Sequence, residues 1–151
     1  MASRGFEFAY MLDGSGGTPV IRDFILSTAA AHAIGNLMTI ETDGDISAAV
    51  ATDGEMTCVM QEAVAAADIT AGTTKAKAAI ITRNQVWRCS MDATTTALVV
   101  GYTKTVDLVD ANTLDADGSS GNGILVDAST LDDEGNVMAY VVFSDTTFGN
   151  T

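Results

Sequence analysis

Basic side chains are scarce in this chain. It has seven Lys and Arg residues against twenty Asp and Glu residues, which gives a formal net charge of −13. Binding to a nucleic-acid backbone requires basic patches, so this balance argues against a nucleic-acid partner. The chain also has no apolar run of signal-peptide or membrane-spanning length. We therefore expect a soluble protein that is made in the cytoplasm, is not secreted and has no membrane partner.

Cysteine and histidine are almost absent too. Two cysteines, Cys58 and Cys89, are too few for a disulfide framework. We interpret them as small buried hydrophobic side chains, with a single bridge between them as the alternative. No cluster of His and Cys accompanies them, which argues against a zinc site. The only histidine, His32, lies among alanines, and we expect a hydrogen-bonded structural role for it.

The familiar catalytic motifs are missing as well. The sequence has no Gly-x-Ser-x-Gly elbow, no Walker loop and no dinucleotide fingerprint. Carboxylates are numerous enough for a glycosidase pair, but they lie in predicted loops. One Trp and three Tyr offer little aromatic surface for stacking on sugars. We therefore expect no enzymatic activity, no catalytic residues and no cofactor.

What the chain does have is the pattern of a single all-β domain. Its 151 residues are 47% hydrophobic and 18% charged, which is ordinary globular composition. Short apolar segments alternate with turns such as Asp43-Gly44 and Asp53-Gly54, a spacing typical of a small barrel or sandwich. The predicted strands are Val20–Leu26, Leu37–Glu41, Ile46–Ala51, Met56–Met60, Lys75–Ile81, Val86–Ser90, Thr94–Tyr102, Ile124–Val126 and Val137–Phe143.

Two alanine-rich segments leave room for at most one short helix. Residues Ser27–Ile34 are compatible with a helix by propensity. Residues Glu62–Asp68 are too few for a helix that is stable alone, and we favour an extended conformation there.

Alternation along Lys75–Ile81 predicts that Ala76, Ala78 and Ile80 point inward and that Lys75 and Lys77 point outward. Trp87 and Cys89 share the inward face of the next strand. Four basic residues, Lys75, Lys77, Arg83 and Arg88, lie close in the sequence. They either meet acidic groups on a neighbouring copy or pair with this domain's own acids.

Two acidic segments, Asp110–Gly123 and Asp127–Asn136, are predicted to be loops. An EF-hand beginning at Asp110 fails, because its pattern breaks at Leu114 and its twelfth position is Gly121. An irregular calcium loop remains the alternative to a solvated acidic loop.

The N-terminal residues 1–19 differ from the rest. Residues Gly5–Tyr10 place Phe6, Phe8 and Tyr10 on one side of an extended segment, and the glycine-rich stretch Asp13–Pro19 follows. We predict an extended N-terminal arm over residues 1–19 and one domain over residues 20–151. The alternative is that the arm is the first strand and loop of that domain.

The order of these segments resembles a known family. A leading segment with a glycine-rich break precedes Ala33–Ile40, Gln61–Val64, Asp68–Ala76, Ile80–Val86 and the late strand Val137–Phe143. Over residues 20–143, this order is similar to the head-decoration (cement) proteins of tailed bacteriophages.

The resemblance implies a small β-barrel or β-tulip-like domain that binds the outer surface of the expanded capsid and cements neighbouring capsomers. The implied partner is the major capsid protein, and the implied assembly is a homotrimer. Capsid contacts would come from Arg4, Phe6, Phe8 and Tyr10, and subunit contacts from Lys75, Lys77 and Arg83. The alternatives are another virion component (tail tube, fibre or capsid-associated domain) and a calcium- or carbohydrate-binding module.

Overall fold

A computed structural model describes residues 5–50, 52–53, 55–92, 105–115, 123–132 and 134–148. Within these residues the chain forms two antiparallel sheets, so the all-β class is confirmed. The predicted strand Thr94–Tyr102 lies outside the described residues.

The first sheet has six strands in the order β1-β7-β11-β10-β8-β9. Strands β11 and β10 are the central pair, and their β-branched and aromatic side chains suit a strand that is buried on at least one face. The bounds are β1 (Glu7–Met11), β7 (Gln85–Ser90), β8 (Thr105–Asp110), β9 (Thr113–Asp115), β10 (Gly123–Leu131) and β11 (Val137–Phe143).

The second sheet has five strands in the order β2-β6-β5-β3-β4. Its bounds are β2 (Ile21–Ile25), β3 (Leu37–Ile40), β4 (Ile46–Ala48), β5 (Cys58–Met60) and β6 (Lys75–Ile80). The predicted Asp-Gly hairpin joins β3 to β4, and Gly44 supplies the positive φ of +91° that the turn requires. Each sheet has two edge strands in the described residues, so the architecture there is two open sheets.

The main core lies between the two sheets. Its largest side chains include Trp87, Phe6 and Phe143, all at most 1% exposed, and the five-stranded sheet contributes Val59 and Ala79. A second apolar cluster covers the opposite face of the five-stranded sheet and includes Met38, Cys58, Met60, Ala76 and Ala78. The five-stranded sheet is therefore apolar on both faces over much of its area.

The chain passes from one sheet to the other between β6 and β7. Strand β6 ends at Ile80 and β7 begins at Gln85, with the exposed residues Arg83 and Asn84 at the corner. As predicted, Ala76, Ala78, Trp87 and Cys89 are buried. Ala76 and Ala78, however, point to the second apolar cluster and not to the main core between the sheets, which receives Ala79 and Ile81 from β6 and the residue after it. Ile80 is only half-buried.

Both predicted acidic loops are partly strand. Thr113–Asp115 forms β9, which pairs with β8, and β10 extends through Asp127 to Leu131 because β11 supplies a partner over that length. The alanine-rich segments contain no α-helix within the described residues. Ser27–Ile34 is irregular, and Ala66–Asp68 forms a single 3-10 turn within an otherwise extended connection.

The N-terminal segment belongs to the six-stranded sheet from Glu7 onward. Strand β1 pairs antiparallel with β7, with Phe8 opposite Trp87 and a bulge before Tyr10. Residues 7–11 are therefore the first strand of the domain, as the alternative to a separate arm predicted. The physical reason is the hydrophobic effect, because an extended segment with apolar side chains on one side lowers its free energy by burying them against the sheet.

Candidate interaction surface

The four predicted capsid-contact residues have different environments. Phe6 is buried, with its ring centroid 5.6 Å from that of Phe143, so it is a core residue of this fold. Phe8 is half-buried and makes an edge contact with Trp87 at 5.7 Å between centroids. Arg4 lies outside the described residues.

Tyr10 is the most exposed of the described members of this set. It is 43% exposed and stacks on Tyr140 with 6.4 Å between ring centroids. Partial burial raises the pKa of Tyr10 above its ordinary value, and the nearby Asp127 and Tyr140 raise it further. The phenol therefore stays protonated at neutral pH and presents a hydrogen-bond donor beside an apolar ring.

More exposed apolar surface lies near the N-terminal end of β2. Ile21 is 54% exposed and Ile34 is 59% exposed, and both line a groove of about 360 Å³. The groove runs between β1 of one sheet and β2 of the other, with Phe8, Trp87 and Ala79 also in its walls. The sequence does not indicate this surface, because Ile21 and Ile34 are separated along the chain and only the fold places both in the wall of one groove.

The predicted basic cluster is divided between the two sheets. Lys75 and Lys77 are exposed on β6, as the alternation predicts, and Arg83 is exposed at the corner. Lys77 Nζ lies 3.2 Å from Asp23 Oδ1 on β2. The role of Lys75, Lys77 and Arg83 in subunit contacts stays a prediction.

Arg88 lies on β7, in the other sheet, where its Nη2 donates to Glu7 Oε2 on β1 at 3.0 Å. This bond to Glu7 and a further one to Tyr140 raise the pKa of Arg88. Two of the four basic residues thus pair with acids of the same domain, as one of the two alternatives predicted.

The two cysteines form no disulfide bond with each other and both are buried, which confirms their interpretation as small apolar side chains. Cys58 and Cys89 belong to different apolar clusters on the two sides of the five-stranded sheet. Burial raises the pKa of the Cys58 thiol to about 12.

The prediction of a hydrogen-bonded His32 is wrong for its side chain. His32 is 4% exposed, and neither ring nitrogen has a hydrogen-bond partner in the described part of the chain. Only its backbone is bonded, in a two-way bridge with Val64. Burial lowers the pKa of His32, because a charged imidazolium would lose its hydration there.

The acidic segment Asp110–Gly123 is described only as far as Asp115, so the hypothesis of an irregular calcium loop falls largely outside the described residues. In the described part, Asp110 Oδ1 accepts a hydrogen bond from the backbone N–H of Asn112 at 3.0 Å, which closes the turn between β8 and β9. No group of three or more His, Cys, Asp or Glu side chains in the described ranges is placed to hold a metal ion.

A search against protein-family models finds none that matches this chain. A search against curated proteins finds no match either. Among the described residues, no helix has the length and hydropathy needed to cross a bilayer.

Proposed function

We propose that this protein is a structural virion component that binds the outer surface of an expanded phage capsid and cements neighbouring capsomers. The observation that carries the proposal is the apolar surface beside β1, where the exposed Tyr10 and Leu12 follow the buried Phe6 and the half-buried Phe8. An exposed apolar surface on an otherwise acidic domain is typical of a protein-binding face. The order of segments that resembles the decoration family is independent support.

The physical demands of cementing agree with this fold. Such a protein needs solubility, a rigid core and many modest contacts multiplied by symmetry. A net charge of −13 and a core shared by two sheets meet the first two demands. A homotrimer with the major capsid protein as its partner would supply the third, and Lys75, Lys77 and Arg83 are the exposed basic residues proposed for the subunit contacts.

Capsid binding is tested by co-sedimentation with expanded capsids that have been stripped of decoration. Deleting residues 1–19 is a poor test, because it removes β1 and the core residue Phe6. Tyr10→Asp places a charge on the proposed contact surface and leaves the core intact. Leu131→Asp is the matched control, since Leu131 is an exposed apolar residue on β10, across the sheet from β1.

We expect the unmodified protein and Leu131→Asp to co-sediment and Tyr10→Asp to bind more weakly. Absence of co-sedimentation by the unmodified protein would refute the proposed function. Equal binding by all three proteins would leave capsid binding in place and refute the role of Tyr10. The trimer is tested separately by the mass of the free protein in solution and of its Lys75→Glu variant.

A further inference from the structure

One face of the β2–β6 pair is covered by the six-stranded sheet over part of its length and is exposed over the rest. Residues directly opposite each other in an antiparallel pair share a face. Lys77 is opposite Asp23, and Ala79 is opposite Ile21. Since side chains alternate along a strand, Lys77 and Ala79 also share this face with Lys75.

The covered part of this face is the floor of the main core. Ala79 is opposite Val59, which is opposite Leu37, and all three are buried between the sheets. The open part comprises Ile21, Asp23, Lys75 and Lys77, which are all exposed. The six-stranded sheet therefore covers only part of the five-stranded sheet.

The covering sheet stops at β1. In the described residues β1 has a single strand neighbour, β7, and is the edge of its sheet. The groove of about 360 Å³ lies at this step, with Ile21 and Ala79 from the lower sheet and Phe8 from β1 in its walls. One further strand beside β1 would continue the upper sheet over the open part of the lower one.

The backbone of β1 is suited to accept such a strand. The N–H of Phe6 points away from β7, because it donates to the carbonyl oxygen of Gly35 at 2.8 Å. Backbone groups alternate in direction along a strand, so those of Phe8 point the same way. Gly35 covers the beginning of the edge, and Phe8 presents a backbone donor and acceptor to the groove.

The strands of the lower sheet that carry the open face also carry basic side chains, although the whole chain is acidic. The described basic residues all lie on β2, β6, β7 or the β6–β7 corner, namely Arg22, Lys75, Lys77, Arg83 and Arg88. Lys77 and Arg88 pair with Asp23 and Glu7. Arg22 is opposite Ala78 and so points to the other face of the sheet. Lys75 shares the face of Ile21 and forms no ion pair with another described residue, so it can meet an acidic group of a partner, whereas the charged residue in the groove wall itself is Glu7.

We propose that the groove binds an extended segment of a partner protein, which adds to β1 as a seventh strand of the upper sheet. The segment has apolar side chains that pack on the exposed Ile21, and a carboxylate that reaches Lys75. This is strand addition, in which backbone hydrogen bonds provide affinity and alternate side chains provide specificity. The inference goes beyond the proposed function, since it holds for a partner inside or outside a virion.

The test begins with a yeast-displayed library of random short peptides, selected against the intact protein. Enriched peptides are then synthesised and their affinities measured by calorimetry. We expect enriched sequences to alternate apolar and polar residues and to carry Asp or Glu near one end. Ile21→Asp should weaken binding about tenfold or more, which corresponds to about 1.4 kcal/mol. Lys75→Glu should bind the acidic peptides more weakly. The matched control Leu131→Asp should bind the peptides with the affinity of the unmodified protein.

Hydrogen exchange separates strand addition from simple apolar adhesion. The amide of Phe8 should be exposed in the free protein and protected when the peptide binds. Thermal melting of each variant checks that it is folded, which we expect because Ile21 and Lys75 are exposed. Failure to enrich any peptide, equal binding by Ile21→Asp, or an unprotected Phe8 amide would each overturn the proposal. A dimer that is abolished by Ile21→Asp would also overturn it, since a second copy would then occupy the groove.

Discussion

The backbones of Gly5 and Gly35 approach each other so closely that no space remains for a side chain on Gly5. A Cβ atom built on Gly5 would lie 2.6 Å from the carbonyl oxygen of Gly35. The same oxygen accepts the N–H of Phe6 at 2.8 Å, and the N–H of Gly35 donates to the carbonyl oxygen of Met60 at 2.9 Å. This crossing connects the beginning of β1 to the end of β5 and so joins the two sheets.

Gly5→Ala should therefore destabilise the protein strongly. Gly5 has a φ of +76°, which costs a residue with a Cβ about 1–2 kcal/mol, and the contact with backbone atoms of Gly35 adds to that cost. The measurement is the free energy of unfolding from urea denaturation. Gly14→Ala is the matched control, because Gly14 has a φ of +78° and no atom within 4 Å of its built Cβ. Equal losses in the two variants would contradict the role of the crossing.

The indole N–H of Trp87 is hydrogen-bonded to the buried side-chain amide of Gln85. Its Nε1–H donates to Gln85 Oε1 at 3.1 Å, and the same oxygen accepts the N–H of Thr82 at 2.9 Å. Gln85→Met keeps the size of the side chain but leaves both donors without this acceptor. Because an unsatisfied buried donor costs about 1–3 kcal/mol, we expect a loss of that order in the free energy of unfolding.

The sole tryptophan provides the measurement for Gln85→Met, since its fluorescence reports unfolding directly. The control is Gln61→Met, because Gln61 is exposed and its amide contacts only the carbonyl oxygens of the two preceding residues. An exposed substitution of this kind should change stability by about 0.5 kcal/mol or less. Similar losses of unfolding free energy in the two variants would show that the hydrogen bond from Trp87 to Gln85 adds no measurable stability.

Sequence patterns predicted the strands well where one face is apolar. The alternation at Ala76 and Ala78 and the apolar run Val137–Phe143 were sufficient to predict the strands. The alternation did not show which face of β6 meets the main core, since Ala79, on the face of Lys75 and Lys77, is buried there. The prediction of loops in the acidic segments was wrong in part. Strand β10 extends to Leu131 because it pairs with β11 over that length. Pairing between strands that are distant in the sequence leaves no local signal, and propensity is then overridden.

The interaction surface was harder to predict than the fold. The aromatic alternation at Phe6, Phe8 and Tyr10 was visible, but the sequence did not show that the sheet buries Phe6 and leaves Tyr10 exposed after a bulge. The groove depends on where one sheet stops covering the other. That position follows from the order of strands in both sheets, which no single segment encodes.

The Cys58 thiol should be unreactive in the folded protein. Burial raises its pKa from 9.0 to about 12, so little of the nucleophilic thiolate is present at neutral pH. In a Cys89→Ala background, a thiol reagent should label Cys58 only after denaturation. The raised pKa also contributes stability that is present below about pH 9 and is lost as pH rises toward 12. Rapid labelling of the native protein would contradict the burial of Cys58.

His32 should make the protein less stable in mild acid. Its folded-state pKa is lowered by burial, so between that pKa and the ordinary value of 6.5 the unfolded chain binds more protons than the folded one. The stabilising contribution is therefore present above about pH 6.5 and is lost as pH falls through the folded pKa. Urea denaturation at about pH 8 and about pH 5 measures the loss.

His32→Gln separates this effect from the titration of the carboxylates, which the variant shares with the unmodified protein. Glutamine is polar but does not titrate, and the backbone bridge between residue 32 and Val64 can still form. We expect the unmodified protein to lose more stability than the variant between the two pH values. The imidazolium that forms in acid has no partner for either ring nitrogen in the described part of the chain, so the fold must open locally to hydrate it. The protection factors of the His32 and Val64 amides, which correct for the slower intrinsic exchange in acid, should then fall at the lower pH. Unchanged protection factors with equal losses of stability in both proteins would refute this account.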